Sequence, residues 1–374
     1  MAGVKNINIE VVKKGIGEMG FYKGAGVINW FPGHMAAATR AIRSRLKLAD
    51  LVIEVRDSRI PLSSRNEELQ SMIADKRRII VLNKKDLANP NILPKWLRYF
   101  ESSNQDCLPI NAHSKTSVKK LLGLVELKLK EVIAREPTLH VMVVGVPNVG
   151  KSVLINSIHQ ISTIRFPGED KMKRATVGPL PGVTRDIAGF KIAHRPSIYV
   201  LDTPGVLVPS IPDIETGLKL AAAGSVKDSA VGEERIAQYI LAVLNSRGTP
   251  LHWNHLRRME EVQNESERKC EYNLKDLLPN RKKTLDNSDI IYIQDIVMEV
   301  QQALYASFSS FDGNLEAGED MESLIEEQFE ALQKALKIPQ TASEGRTMTA
   351  KRFLTLFRTG KLGPFILDDV PDLL

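Results

Sequence analysis

The run Gly145-Val146-Pro147-Asn148-Val149-Gly150-Lys151-Ser152 constrains this chain more than any other feature. It meets every fixed position of the phosphate loop G-x-x-x-x-G-K-[ST], and it stands between an apolar stretch at 141–144 and the helical pattern Leu154, Ile155, Ile158. Glycines let the backbone wrap so that successive N–H groups face a β-phosphate, and the helix that follows adds the positive end of its dipole. In that geometry Asn148, Val149, Gly150 and Val153 form the cradle, Lys151 bridges the β- and γ-phosphates, and Ser152 is a ligand of Mg²⁺. A strand, a tight glycine turn and a helix in this order presuppose an open α/β sheet, whose ligands lie at the carboxyl ends of the strands.

The rest of the N-terminal two thirds agrees with such a sheet. Short apolar runs at 51–55, 79–82, 108–110 and 198–201 read as further buried strands, because each is brief, rich in branched residues and followed by polar or Gly/Pro punctuation. Residues 116–133 carry Val118, Leu122, Val125, Leu129 and Val132 at helical spacing, and 34–48 reads as an amphipathic helix with Arg40, Arg43 and Lys47 on its outer face. The expected fold is therefore a mostly parallel sheet with helices on both faces, followed by a smaller helical domain. The expected boundaries are an N-terminal segment 1–27, a nucleotide-binding domain 28–209, a helical connector 210–270 and a C-terminal domain 271–374.

Three further motifs fall after predicted strands. Asp202-Thr203-Pro204-Gly205 has the form D-x-x-G, in which Asp202 holds Mg²⁺ through a water and the Gly205 N–H senses the γ-phosphate. Between it and the phosphate loop, the Gly/Pro-rich stretch 178–184 ends in Thr184, which would complete the Mg²⁺ shell. Asn83-Lys84-Lys85-Asp86 has the form N-K-x-D. A carboxylate at Asp86 accepts from the guanine N1–H and 2-amino group, whereas adenine presents an acceptor and would leave that carboxylate unpaired. Asn111-Ala112, after the run 108–110, falls where a short loop would meet the base through its backbone. The base-reading motifs thus precede the phosphate-binding ones, the reverse of the usual order. A circular permutation leaves the sheet intact, because chain termini tend to lie together at a domain surface.

Composition narrows the class further. The 374 residues are 43% hydrophobic and 26% charged, with no apolar run near the ~20 residues of a bilayer helix. Two cysteines exclude a disulfide framework and a Cys/His zinc site. The balance of 51 Lys and Arg against 45 Asp and Glu conceals an asymmetry: residues 1–270 carry +13 and 271–374 carry -7. The basic part suits a polyanionic partner or a solvated basic surface. Eight acids with no Lys or Arg between Asp312 and Glu330 read as a solvated loop or helix face, and Lys351, Arg352, Arg358 and Lys361 form a basic C-terminal segment.

Taken together, these motifs resemble the circularly permuted GTPases that assist assembly of the large ribosomal subunit. Trp30-Phe31-Pro32-Gly33-His34-Met35 is similar to that family's N-terminal signature, and Asp57-Ser58-Arg59-Ile60-Pro61 to its D-A-R-x-P element with Ser in place of Ala. Within it the chain is most similar to the mitochondrial ribosome-associated branch, through Leu46-Lys47-Leu48, Ile53-Glu54-Val55 and 215–220. The resemblance implies GTP and GDP as ligands, the large subunit and its rRNA as partners, and a mitochondrial matrix location. Residues 1–27 lack Arg and carry only a weak targeting signal, which keeps a cytoplasmic location as the alternative. The chain is expected to be monomeric when free, with peripheral membrane contact left open and 312–330 as an insertion.

The residue after the D-x-x-G motif is Val206, not a Gln that orients water, so intrinsic hydrolysis is expected to be slow and raised by the partner. The resemblance places His34 near the phosphates, either as the catalytic group or as a helix-terminal or RNA-contacting histidine. It also makes Asn148 similar to an Asn that helps to bind K⁺. A nucleotide-gated RNA-binding scaffold in which hydrolysis is incidental stands as the other class of function. If Asp86 reads the base, Asp86→Asn shifts preference from GTP towards xanthosine triphosphate in competition binding, and an unchanged preference locates base recognition elsewhere.

Overall fold

The computed structural model describes residues 17, 19–20, 34–133, 138–165, 188–194, 197–206, 211, 213–253, 287–339 and 344–371. The chain forms two compact units, Gly26–Gly232 with Arg358–Leu374, and Met1–Ala25 with Glu233–Phe357. The first is built on helix α1 (His34–Leu46), strand β1 (Leu51–Asp57), α2 (Glu67–Ile73), β2 (Arg78–Asn83), α3 (Leu93–Ser102), β3 (Cys107–Pro109), α4 (Lys115–Ile133), β4 (Thr138–Val144), α5 (Lys151–Arg165), β5 (Ala188–His194), β6 (Ser197–Asp202), α6 (Ile214–Ala222) and α7 (Asp228–Val231).

The sheet runs β3-β2-β1-β4-β6-β5. The five strands from β3 to β6 are mutually parallel, and β5 closes the edge antiparallel to β6 with an irregularity between Lys191 and Ala193. β5 is the strand that periodicity does not find, because Gly189, Lys191 and His194 interrupt its apolar residues, as edge strands tolerate. The five expected strands are all present, each within three residues of its sequence limits.

Strand β1 is buried along its whole length and yet ends in charge. Arg56 donates through Nε to Glu54 Oε1 (2.8 Å) and through Nη1 to Pro61 O (3.2 Å), and its guanidinium lies 5.5 Å from the Phe100 ring centroid. Gln70 Nε2 also donates to Glu54 Oε1 (2.8 Å). Burying such charges is tolerable only when they are paired and hydrogen-bonded. The apolar core forms two clusters, one of Ile42, Leu46, Val52, Leu69, Ile73, Met142, Val144, Leu201 and Val206, the other of Ile80, Leu82, Trp96, Phe100 and Ile366.

Ile366 belongs to the C-terminal segment, and its burial explains why the units divide differently from the sequence expectation. Instead of one boundary near 210 and a last domain 271–374, the division falls between Gly232 and Glu233, and the segment from Arg358 onward returns to the sheet-containing unit. Burial of Ile366 and Leu367 holds it there. Of the basic segment, Arg358 is ion-paired with Asp228 (2.6 Å) and Lys351 lies 3.6 Å from Glu233.

The second unit is helical: α8 (Glu233–Ser246), a 3₁₀ turn at Thr249–Trp253, α9 (Asn287–Ser310), α10 (Gly318–Ala335) and α11 (Gly345–Arg358), whose last residue already belongs to the first unit. Most of the acidic stretch lies in α10, whose Met321, Leu324, Ile325, Phe329 and Leu332 are buried. Its polar exception is Gln328, fully buried and joined to Asn245 by two reciprocal hydrogen bonds between their carboxamides (2.9 and 2.8 Å). Gln328→Leu should cost about 1–3 kcal/mol, because it takes the donor from the buried Asn245 carboxamide oxygen, and adding Asn245→Leu should recover part of that loss. Chemical denaturation of the single and double variants checks this; additive losses would show that the amides do not depend on each other.

Candidate nucleotide-binding site

Parallel strands end together, and their register puts every motif on one rim. Asp57 of β1 pairs with Asn83 of β2, and Val143 of β4 with Asp202 of β6. The chain turns in opposite directions on either side of the β1–β4 pair, which makes this rim the topological switch point where open α/β sheets bind ligands.

The phosphate loop leaves β4 through Gly145, where φ is 149° and a Cβ would stand 2.3 Å from Val55 O. Gly150 has φ 96°, and a Cβ there would meet Asn83 Nδ2 at 2.3 Å. Both glycines are therefore required by close approach as well as by backbone conformation. Lys151 opens α5, is buried, and donates through Nζ to Gly145 O (3.1 Å) and Val146 O (2.9 Å), which folds its ammonium back over the loop. Burial pushes its pKa down to about 8, with the nearby Asp202 opposing. Val149 is buried, and Val153 is half-buried in the first turn of α5. Asn148 has φ 59° and donates through Nδ2 to Gly224 O (2.8 Å).

Ser152 Oγ donates to Asp202 Oδ2 (3.2 Å), while Asp202 Oδ1 is buried and has no hydrogen-bond partner among the described residues. Burial raises the Asp202 pKa, with Lys151 and the Ser152 bond opposing. A hydroxyl and a carboxylate with one buried, unmatched oxygen are hard oxygen donors that fit Mg²⁺. Thr203 Oγ1 donates to Val143 O (2.7 Å) and anchors the D-x-x-G turn. A Cβ on Gly205 would lie 2.5 Å from Pro147 Cα, so this glycine rests against the phosphate loop. Val206 is buried in the core, and its carbonyl accepts from Asn66 Nδ2 (2.9 Å), so its side chain is not placed to orient water.

The base-reading motifs join the same rim through one carboxamide. Asn83 Nδ2 donates to Val149 O (2.8 Å), and Asn83 Oδ1 accepts from Ala112 N (3.0 Å). Lys85 N donates to Ile110 O (3.1 Å), and Ser157 Oγ donates to Ala112 O (2.6 Å), which fixes the turn at Asn111-Ala112 against α5. Lys84 takes the left-handed conformation (φ 61°), after which Lys85 and Asp86 stand exposed in a short 3₁₀ turn. Asn83, Lys84, Lys85, Asp86, Asn111, Ala112, the phosphate loop, Asp202 and Gly205 are thus brought together. The His34 side chain and the whole of Thr184 lie outside the described residues, although His34 begins α1.

Motif reading missed what Asp57 and Arg59 do. Asp57 is fully buried and accepts Arg59 Nε (2.9 Å), Arg59 Nη2 (2.8 Å) and Lys84 Nζ (2.8 Å). Burial opposes its charge, but Arg59 and then Lys84 hold the carboxyl well below the usual carboxylate range. A carboxylate and an arginine two residues apart, directly after a strand of this sheet, were the available signal.

A family model described as a 50S ribosome-binding GTPase matches residues 140–276. Among curated proteins, Short integuments 2, mitochondrial, of Arabidopsis thaliana is 72% identical over 97% of this chain and 95% of its own length. DAR GTPase 2, mitochondrial, of the same plant is 41% identical over 91% of this chain and 90% of its own. Mitochondrial ribosome-associated GTPase 1 of Mus musculus is 42% identical over 60% of this chain and 69% of its own.

If Lys151 holds phosphate, its depressed pKa makes that binding pH-dependent. In the free protein Lys151 loses its proton as pH rises through about 8, whereas bound phosphates favour the ammonium. Binding above that pH takes up a proton, so affinity for a guanine nucleotide should fall with rising pH by up to about tenfold per unit. Calorimetry from pH 7 to 9 in buffers of different ionisation heat reads both effects; a flat affinity with no proton uptake would contradict them.

Proposed function

Because the chain belongs to the circularly permuted GTPase family, we propose that it couples its GTP state to binding and release of the large subunit of the mitochondrial ribosome and that subunit's rRNA. The chain is a GTPase. The observation that carries the site reading is the Asn83 carboxamide, which ties the phosphate loop at Val149 to the base loop at Ala112. That bridge sets the guanine-reading Asp86 and the phosphate-binding Lys151 on one rim although the chain presents them in reversed order.

Each group then has a defined task. Asp86 accepts from the guanine edge, and the backbone at Asn111 and Ala112 borders the base. The N–H groups from Asn148 to Val153 and the Lys151 ammonium hold the phosphates and stabilise charge that develops on them. Ser152 and Asp202, with Thr184, would hold Mg²⁺, which supplies charge neutralisation between the β- and γ-phosphates. The Asn148 carboxamide oxygen is the donor that a K⁺ would take. Gly205 reports the γ-phosphate through its N–H, a role that its packing against Pro147 of the phosphate loop supports.

Val206 is buried and apolar, which supports slow hydrolysis by the free protein and a water positioned by another group. His34 is assigned that task, acting when the ribosomal partner orders the site. The exposed Arg40, Arg43, Arg45 and Lys47 of α1 and its following turn offer the face for rRNA, and such binding weakens steeply with salt. The protein acts in the mitochondrion, in keeping with the names of its relatives, with the matrix as its compartment there, and is monomeric when free. His34→Ala should leave GTP affinity unchanged and lower the subunit-stimulated rate by about 100-fold, the scale of a positioned acid–base group. Turnover measured with and without large subunits decides it, and an unchanged stimulated rate would remove His34 from the mechanism.

A further inference from the structure

Four consecutive carbonyls at the end of α6 each accept a bond from a side chain. Ala221 O takes Arg358 Nη2 (2.6 Å), Ala222 O takes Arg358 Nε (3.1 Å), Ala223 O takes Arg59 Nη2 (3.2 Å) and Gly224 O takes Asn148 Nδ2 (2.8 Å). A helix C-terminus concentrates partial negative charge, so two guanidiniums are well matched to it. The three donors come from different parts of the site. Asn148 belongs to the phosphate loop, Arg59 carries Asp57 and through it Lys84 of the base motif, and Arg358 opens the returning C-terminal segment.

That segment is itself fastened to the base side. Phe365 N donates to Leu87 O (3.0 Å), directly after the N-K-x-D turn, and Leu367 N donates to Arg59 O (2.7 Å). Asp368 accepts from Leu62 N (2.8 Å), Ser63 N (2.9 Å) and Ser63 Oγ (2.6 Å), with Lys219 Nζ of α6 at 3.4 Å. Arg358 meets Asp228 with two further bonds (2.8 and 2.6 Å), so its guanidinium is held on both sides. Helix α6 is also the element that follows the D-x-x-G motif in the chain. Its last turn therefore receives the phosphate loop, the base motif and the C-terminal segment at adjacent carbonyls.

We propose that Arg358 is a positioning residue of the nucleotide site: through the last turn of α6 it sets the Asn148 carboxamide, so that nucleotide occupancy and the seating of residues 358–371 are coupled. The inference rests on the guanine-nucleotide reading of the site. Coupling of this kind is reciprocal: a nucleotide that orders Asn148 tightens the segment, and a loosened segment releases nucleotide.

The test uses the full chain with fluorescent GDP and with hydrogen exchange at Phe365 and Leu367. In the wild type, GDP should slow exchange of these two amides. Arg358→Ala should abolish that slowing and raise the GDP dissociation rate about tenfold, on the scale of one lost charge-assisted contact. Combining it with Asn148→Ala should add little beyond the larger single effect, because both act through one turn. Arg358→Lys, which keeps a charge beside Asp228 but lacks the planar fork for two carbonyls, should fall between, and covers the case in which the alanine variant does not fold. Exchange indifferent to GDP in the wild type, multiplicative effects of the two alanine variants, or an unchanged dissociation rate in Arg358→Lys would each overturn the coupling. Failure of the wild type to bind GDP at all would instead overturn the nucleotide reading beneath it.

Discussion

The carboxamide of Asn83 is the contact on which the site depends. It is buried at the end of β2, its nitrogen donates to Val149 O in the phosphate loop, and its oxygen accepts from Ala112 N in the base loop. One side chain thus satisfies two backbone groups on loops that follow different strands, β4 and β3. The glycine at 150 is tied to the same contact, since a Cβ there would collide with Asn83 Nδ2. A circular permutation changes which segments are consecutive and leaves this bond intact, because the bond depends on strand order in the sheet.

Charge buried at the carboxyl rim is the second constraint. Asp57, with Arg59 and Lys84 on it, sits one strand from the loop that carries Lys151 and two from Asp202, where Ser152 supplies one hydrogen bond and, among the described residues, Asp202 Oδ1 has none. The first group is closed: its cations meet its carboxylate, and it braces the turn that carries the base motif. The second is open: Lys151 is depressed by burial and Asp202 retains an unmatched oxygen. A closed cluster rigidifies, whereas an open one is completed by a ligand that brings negative charge and a cation. The contrast distinguishes scaffold from binding site where composition treats both alike.

Much of this was legible in the chain. Strands β1, β2 and β4 appear as short branched runs because most of their residues are buried on both faces, and the phosphate, D-x-x-G and N-K-x-D motifs have fixed spacing because each is a single local turn. β5 was not legible, since an edge strand needs little apolar content. Nor was the role of Asp57 and Arg59, which requires knowing that Lys84, 25 positions from Arg59, lies beside them through the β1–β2 pairing. The acidic stretch read as a solvated face has in α10 a buried side as well, carried by Met321, Leu324 and Phe329 between the acids.

Local sequence determined the phosphate loop, the base-reading turn, the strands and their reversed order, because each depends on residues within one turn or one strand. Tertiary structure alone decided that residues from Arg358 onward belong with the nucleotide-binding unit and that the end of α6 gathers Asn148, Arg59 and Arg358. Those partners are separated by up to 299 positions, and no periodicity or motif records a hydrogen bond to a backbone carbonyl, which every residue carries. The phosphate loop is complete in eight residues, whereas its hydrogen bonds to Asn83, Asp202 and Gly224 reach three other parts of the chain.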